Sequence, residues 1–81
     1  IHAALTEGAA ALTAGERDYA VLEAQATARL VAAGFAVDYA RIVRPEDLQA
    51  PTRQENRLVM LVAARLGSTR LIDNIEVKLS E

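Results

Sequence analysis

Two strand-like segments joined by a short turn near the end of the chain constrain its fold most. The segment RLIDNIEVKL (70–79) alternates apolar and polar side chains, which predicts a β-strand with one buried face. The preceding segment RLVMLVAARL (57–66) is ambiguous, because its residue types favour a helix while its unbroken apolar run also fits a central strand. Since only GST lies between the two segments, we favour an antiparallel hairpin.

The residues before this hairpin indicate two helices and a further strand. The segment AALTEGAAALT (3–13) is rich in Ala, the best helix former. Asp18 is suited to cap the start of a second helix, and Gly34 to end it in a left-handed conformation. The segment FAVDYARIV (35–43) predicts a strand, with one face shared by Phe35, Val37, Tyr39 and Val43.

The order of these elements predicts a single α+β domain over residues 1–81. We expect a small three-stranded antiparallel sheet with two helices packed on one face. The predicted bounds are about 3–13 and 18–33 for the helices, and about 35–43, 58–66 and 70–79 for the strands.

Composition excludes several classes of function. The net charge of -2 comes without a basic stripe, so we expect no binding to nucleic acid. No apolar run reaches about 18 residues, so no segment is expected to span a membrane. The absence of cysteine excludes disulfides and thiolate metal sites, and it fits a reducing compartment.

The sequence offers no constellation of catalytic, cofactor-binding or metal-binding residues. His2 is the only histidine, and it lies at the chain terminus without a second metal ligand at a defined spacing. Ser68 and Ser80 have no histidine–acid pair to activate them. The four glycines form neither a dinucleotide-binding loop nor a P-loop.

One polar cluster remains, formed by Arg70, Asp73 and Asn74 within the last predicted strand. Because side chains alternate along a strand, Asp73 falls on the same apolar face as Leu71 and Ile75. A carboxylate buried on that face would need Arg65, Arg70 or the backbone amides of the turn as a partner. This interpretation makes Asp73 a structural tie, and we favour it. The alternative is that the three side chains bind a ligand.

At this hairpin the sequence resembles a known family. AARLGSTRLIDNIEV (63–77) resembles the C-terminal signature of pantothenate synthetase (pantoate–β-alanine ligase), of which TRLIDN is the specific part. GFAVDYARIVRPEDLQAP (34–51) and the AGERD break (14–18) are also similar to elements of that family. The resemblance covers nearly the whole chain.

The resemblance implies a ligase of pantothenate and coenzyme A biosynthesis. Such an enzyme condenses pantoate with β-alanine, using ATP and Mg²⁺, through a pantoyl-adenylate. It implies a cytoplasmic homodimer whose N-terminal Rossmann-like domain carries an HIGH-type motif and a KMSKS-like loop. The smaller C-terminal domain is then a lid over the nucleotide site.

This chain has neither of the two nucleotide motifs, so we expect it to be inactive alone. Arg70, Asp73 and Asn74 match the family signature, which implies no catalytic role for them, and we expect them to be architectural. The alternative function is a free-standing protein-interaction module. It would bind a partner through its edge strand or its Ala-rich helices.

Overall fold

The computed structural model describes residues 1–79, which form two helices followed by a three-stranded antiparallel sheet. The elements are α1 (His2–Thr13), α2 (Tyr19–Ala32), β1 (Ala36–Val43), β2 (Arg57–Leu66) and β3 (Thr69–Lys78). The sheet order is β1-β2-β3, so the segment with ambiguous periodicity is the central strand. This confirms the predicted α+β fold, and each element end lies within one residue of its predicted position.

The flanking residues of α2 fix its two ends. Asp18 is the N-cap, and its Oδ1 accepts the backbone N–H of Val21 at 3.3 Å. Gly34 follows the last turn with φ +97°, which confirms the predicted left-handed position. The N–H of Phe35 donates to the carbonyl of Leu30, and this bond directs the chain into β1.

The core lies between the helices and one face of the sheet. Its largest buried side chains are Leu5, Leu12, Leu22, Leu30, Ile42, Leu58, Met60 and Val62. Gly8 allows α1 to approach β2, because a Cβ at this position would lie 3.0 Å from Met60 Cε and still closer to its Sδ. Met60 is fully buried, so it has no solvent space to move into. Gly8 therefore sets how closely α1 packs on the sheet.

A β-bulge in β1 inverts part of the predicted face of this strand. The register with β2 shifts between Val37 and Tyr39, so Asp38 is the extra residue. After the bulge, Ala40 and Ile42 point into the core, and Tyr39 lies on the opposite face. The prediction of one shared face was wrong, because an inserted residue reverses the alternation of every residue after it.

Gly67 and Ser68 form a two-residue turn between β2 and β3, with Leu66 paired to Thr69. Gly67 has φ +62°, while Ser68 has no positive φ. A positive φ at the first turn position alone is the type II′ pattern, which suits the twist of a hairpin. The predicted hairpin is thus confirmed.

Within residues 1–79, no helix is long and apolar enough to cross a bilayer.

Candidate functional site

The residues that match the family signature lie within 70–74, toward the turn end of β3, and all three are exposed. Asp73 pairs in register with the buried Val62, so it lies on the helix-bearing side of the sheet, as its alternation predicted. Arg70 and Asn74 lie on the other side, which we call the open face. The three side chains therefore do not converge on one ligand site.

The prediction that Asp73 is buried was wrong. The helices cover Val62 completely, but β3 is an edge strand and becomes half-buried only at Ile75 and buried at Val77. The alternation correctly gives the face of Asp73, but it carries no information on how far the helix layer extends over that face. A carboxylate at this position remains in contact with water and needs no buried partner.

Asp73 instead satisfies a donor on the free edge of β3. Its Oδ1 accepts the backbone N–H of Asn74 at 2.8 Å. In an antiparallel pair of strands, residues that hydrogen-bond to the partner strand alternate with residues that do not. Thr69 is hydrogen-bonded to Leu66 at the turn, so Asn74 is one of the residues whose N–H points away from β2. Such an N–H would otherwise be available to a strand from another chain. Asp73 therefore blocks one donor of this edge.

Asp38, and not Asp73, contacts Arg65 and Arg70, the two arginines that we had considered as partners of Asp73 from the sequence. Arg70 Nε donates to Asp38 Oδ2 at 2.9 Å, and Arg65 Nη2 lies 3.4 Å from Oδ1. The hydrogen bond from Arg70 lowers the pKa of Asp38 below its ordinary value, and the charge of Arg65 adds to this effect. Sequence reasoning missed Asp38, because the bulge that directs it to the hairpin has no local sequence signal.

The open face is basic although the whole chain is acidic. The register, and for Asp38 its contacts with Arg65 and Arg70, place five basic and two acidic side chains there, a formal charge of +3 against -2 for the whole chain. These residues are Arg41, Arg57, Arg65, Arg70, Lys78, Asp38 and Glu76. Arg57 Nη2 donates to Glu76 Oε2 at 2.7 Å, which lowers the pKa of Glu76. After these pairings the net positive charge of the open face comes from Arg41, from Lys78, and from Arg65 and Arg70, which share the one carboxylate of Asp38.

A second charged cluster lies in the loop between β1 and β2. Arg44 Nε is 3.6 Å from a carboxylate oxygen of Glu46 and 3.5 Å from oxygens of Asp47 and Glu55. These carboxylates surround a cation that the chain itself supplies. Residues 1–79 contain no group of three His, Cys, Asp or Glu side chains suited to a metal ion. This part of the chain does not fit a magnesium site.

The one hydroxyl hydrogen-bonded to the His2 imidazole within residues 1–79 is that of Thr6, and it donates its proton to the backbone carbonyl of His2 at 2.8 Å. The ring of His2 is exposed, and its Nε2 lies 3.4 Å from the hydroxyl of Thr6 one helical turn away. Ser68 lies in the hairpin turn, and within residues 1–79 no hydrogen bond joins it to His2. General-base activation of a hydroxyl needs an ordered partner within hydrogen-bond reach, which His2 does not give Ser68.

An apolar groove of about 600 Å³ lies between the start of α1 and the end of α2. Alanines line most of it, together with Ile1, Leu30 and Phe35. Its one charged lining residue, Arg29, is paired with Glu7 at 3.0 Å. A ligand site normally has several convergent polar groups, so the groove is not a chemical site of its own.

The sequence of this chain is similar to that of known proteins of one function. The family model described as pantoate-beta-alanine ligase matches residues 1–76. The pantothenate synthetase of Halorhodospira halophila is 56% identical over 80 residues, which are 98% of this chain and 28% of that protein. The pantothenate synthetase of Methylococcus capsulatus is 52% identical over 75 residues, 93% of this chain and 26% of that protein.

A third relative agrees with these two. The pantothenate synthetase of Nitrosococcus oceani is 49% identical over 76 residues, which are 94% of this chain and 27% of that protein. The chain thus spans about a quarter of the length of the curated relatives that it matches.

Proposed function

Because this chain belongs to the pantoate–β-alanine ligase family, as its C-terminal domain, we propose that the whole protein makes pantothenate. In this reaction pantoate and ATP form pantoyl-adenylate and release pyrophosphate. The amine of β-alanine then attacks the acyl carbon and releases AMP. The observation that carries this proposal is that about half of the residues, over nearly the whole chain, are identical to those of several pantothenate synthetases.

The domain acts in this reaction as a lid and not as a source of reacting groups. Its polar clusters are internally paired, as Asp38 is with Arg70 and Arg44 is with its three carboxylates. A compact domain of this kind contributes by closing over a reactive acyl-adenylate and excluding water from it. Arg70, Asp73 and Asn74 lie in the hairpin of this lid, where Arg70 joins β3 to Asp38.

The remaining partners follow from the same proposal. ATP, pantoate, β-alanine and Mg²⁺ bind in an N-terminal Rossmann-like domain, and the whole protein is a cytoplasmic homodimer. The densest cluster of carboxylates within residues 1–79 surrounds the guanidinium of Arg44, which fits binding of Mg²⁺ outside this domain. The lack of cysteine in this chain fits a reducing compartment.

The test is a product balance on the full-length protein supplied with ATP, Mg²⁺, pantoate and β-alanine. We expect AMP, pyrophosphate and pantothenate in equal amounts, with no pantothenate when β-alanine is omitted. Formation of ADP and phosphate, or no consumption of ATP, would overturn the proposed reaction.

A free-standing interaction module has less support. Pairing at the β3 edge would need its outward backbone groups, and Asp73 already occupies the N–H of Asn74. The chain also matches its relatives over nearly its whole length, as a constituent part of larger enzymes.

A further inference from the structure

Exposed apolar side chains concentrate at the turn end of the sheet. Among residues 1–79, seven large apolar side chains are exposed, and four of them lie together in this region. These four are Tyr39 (36%), Leu66 (48%), Leu71 (39%) and Ile72 (63%). We call residues 65–74 the hairpin tip. The other three, Val21, Val31 and Leu48, are spread over α2 and a loop.

The dimensions of the elements explain why part of the hairpin is uncovered, and the exposed side chains show that this part is the tip. Strands of ten residues span roughly 33 Å at about 3.3 Å per residue, whereas the fourteen residues of α2 span roughly 21 Å. The helices therefore cannot cover the hairpin along its full length. The molecule is accordingly elongated, with extents of 41 × 23 × 17 Å.

Both faces of the tip carry exposed apolar side chains next to its polar ones. Leu71 lies on the helix-bearing side, paired with the fully buried Ala64. Ile72 lies on the open face, where it and Tyr39 flank the fully buried Ala63 in one row across the sheet. Because the exposed apolar side chains point to both sides of β3, only a surface that encloses the strand could bury all of them.

The polar residues around this apolar row fit a protein surface as the occupant. Arg65 and Arg70 lie on one side of the row and Arg41 on the other, all on the open face. An apolar centre with Tyr and a rim of Arg is the composition of protein interfaces. Since Asp73 blocks an edge donor, docking through the faces of β3 is favoured over docking through its edge.

We propose that the hairpin tip, together with Tyr39, docks into the part of the same polypeptide that lies outside this chain. This inference rests on the proposed function, in which the domain is part of a larger enzyme. The relatives extend well beyond it, because the chain spans only 26–28% of their length. The complementary surface is an apolar slot with an acidic rim that matches the basic open face. The exposed signature residues are then interface residues.

Side-chain footprinting of the full-length protein with hydroxyl radicals tests the docking directly. The rate at Ile72 is divided by its rate in the urea-unfolded protein, and Val31 is the matched control because it is similarly exposed, at 56%. We expect Ile72 to be protected at least several-fold more than Val31. Equal reactivity of the two side chains would overturn the proposal.

Dilution distinguishes the proposed occupant from a second copy of the protein. Protection of Ile72 that persists in the monomer, identified by light scattering at each concentration, supports docking within one polypeptide. Protection that disappears as a dimer dissociates would overturn the proposal, because a second copy would then cover the tip.

A pair of substitutions separates this inference from the proposed reaction. In the full-length protein, Ile72→Thr is expected to increase the footprinting rate of Leu71 several-fold, whereas Val31→Thr leaves it unchanged. If Ile72→Thr leaves Leu71 as protected as before, the docking surface is wrong, even when the unsubstituted protein makes pantothenate. A protein that shows the docking but forms no AMP would refute the reaction and leave the surface in place.

Discussion

Arg70 Nε donates a hydrogen bond of 2.9 Å to Asp38 Oδ2, and this contact joins the uncovered hairpin tip to β1. The bulge in β1 provides the geometry, because it directs the Asp38 side chain toward the open face. The side chain of Asp38 is 27% exposed and is also close to Arg65. A polar contact therefore stabilises the part of the hairpin that the helices do not reach.

We predict that Asp38→Asn loosens the tip locally in the 81-residue chain. The substitution removes the charge that holds Arg65 and Arg70, so amide exchange at Leu71, whose N–H bonds to β2, should accelerate. The matched control is Glu76→Gln, which removes the negative charge paired with Arg57 at the other end of the sheet. Hydrogen exchange by NMR measures both, and an equal response at Leu71 to the two substitutions would contradict this role of Asp38.

The lowered pKa of Asp38 predicts a pH dependence of stability. A carboxyl whose pKa is lower in the folded state contributes stability above its unfolded pKa of about 3.9, and this is lost as the pH falls through the folded pKa. The difference in unfolding free energy between the parent and Asp38→Asn should be constant near pH 6 and shrink below about pH 4. Urea titrations across this range measure it. A difference that grows toward acid pH would reverse the predicted sign.

We predict that Gly8→Ala destabilises the domain although Ala is the better helix former. The helix gains roughly 1 kcal/mol from the replacement, but the new methyl group overlaps the buried Met60, and overpacking costs about 1–3 kcal/mol. Adding Met60→Ala, which removes the side chain in contact, should make the Gly8→Ala change favourable. Chemical unfolding of the four variants gives the coupling, and simple additivity would show that Gly8 is not in close contact with Met60.

Asp73→Ala should change the free energy of unfolding of the 81-residue chain by no more than about 0.5 kcal/mol, as for other surface substitutions. Its carboxylate is exposed, and its one hydrogen bond goes to the adjacent Asn74. A buried, paired carboxylate would instead cost about 2 kcal/mol or more. Thermal and urea unfolding distinguish these values, and a loss of the larger size would restore the buried interpretation.

Local patterns were sufficient to predict the elements of this fold. Alternation in β3, the Ala-rich periodic helices and the capping residues Asp18 and Gly34 all act within a few positions along the chain. The predicted hairpin also resolved the ambiguous β2 segment, because the short link GST favours a strand as the partner of β3.

The polar contacts could not be predicted, because they depend on tertiary geometry. The bulge at Asp38 inverts the alternation of β1, and it places a carboxylate next to two arginines of the hairpin. The exposure of Asp73 depends on where the helix layer ends, and the sequence of β3 contains no record of that boundary. The alternation gave the correct face of Asp73 and the wrong degree of burial.

The most direct test of the central claim is AMP formation from ATP, pantoate, β-alanine and Mg²⁺, measured for the full-length protein and for the purified 81-residue chain. The claim is that this domain belongs to an AMP-forming ligase and supplies none of its reacting groups. It predicts AMP from the full-length protein in step with pantothenate, and none above the background from the 81-residue chain. Measurable turnover by the 81 residues alone would contradict it.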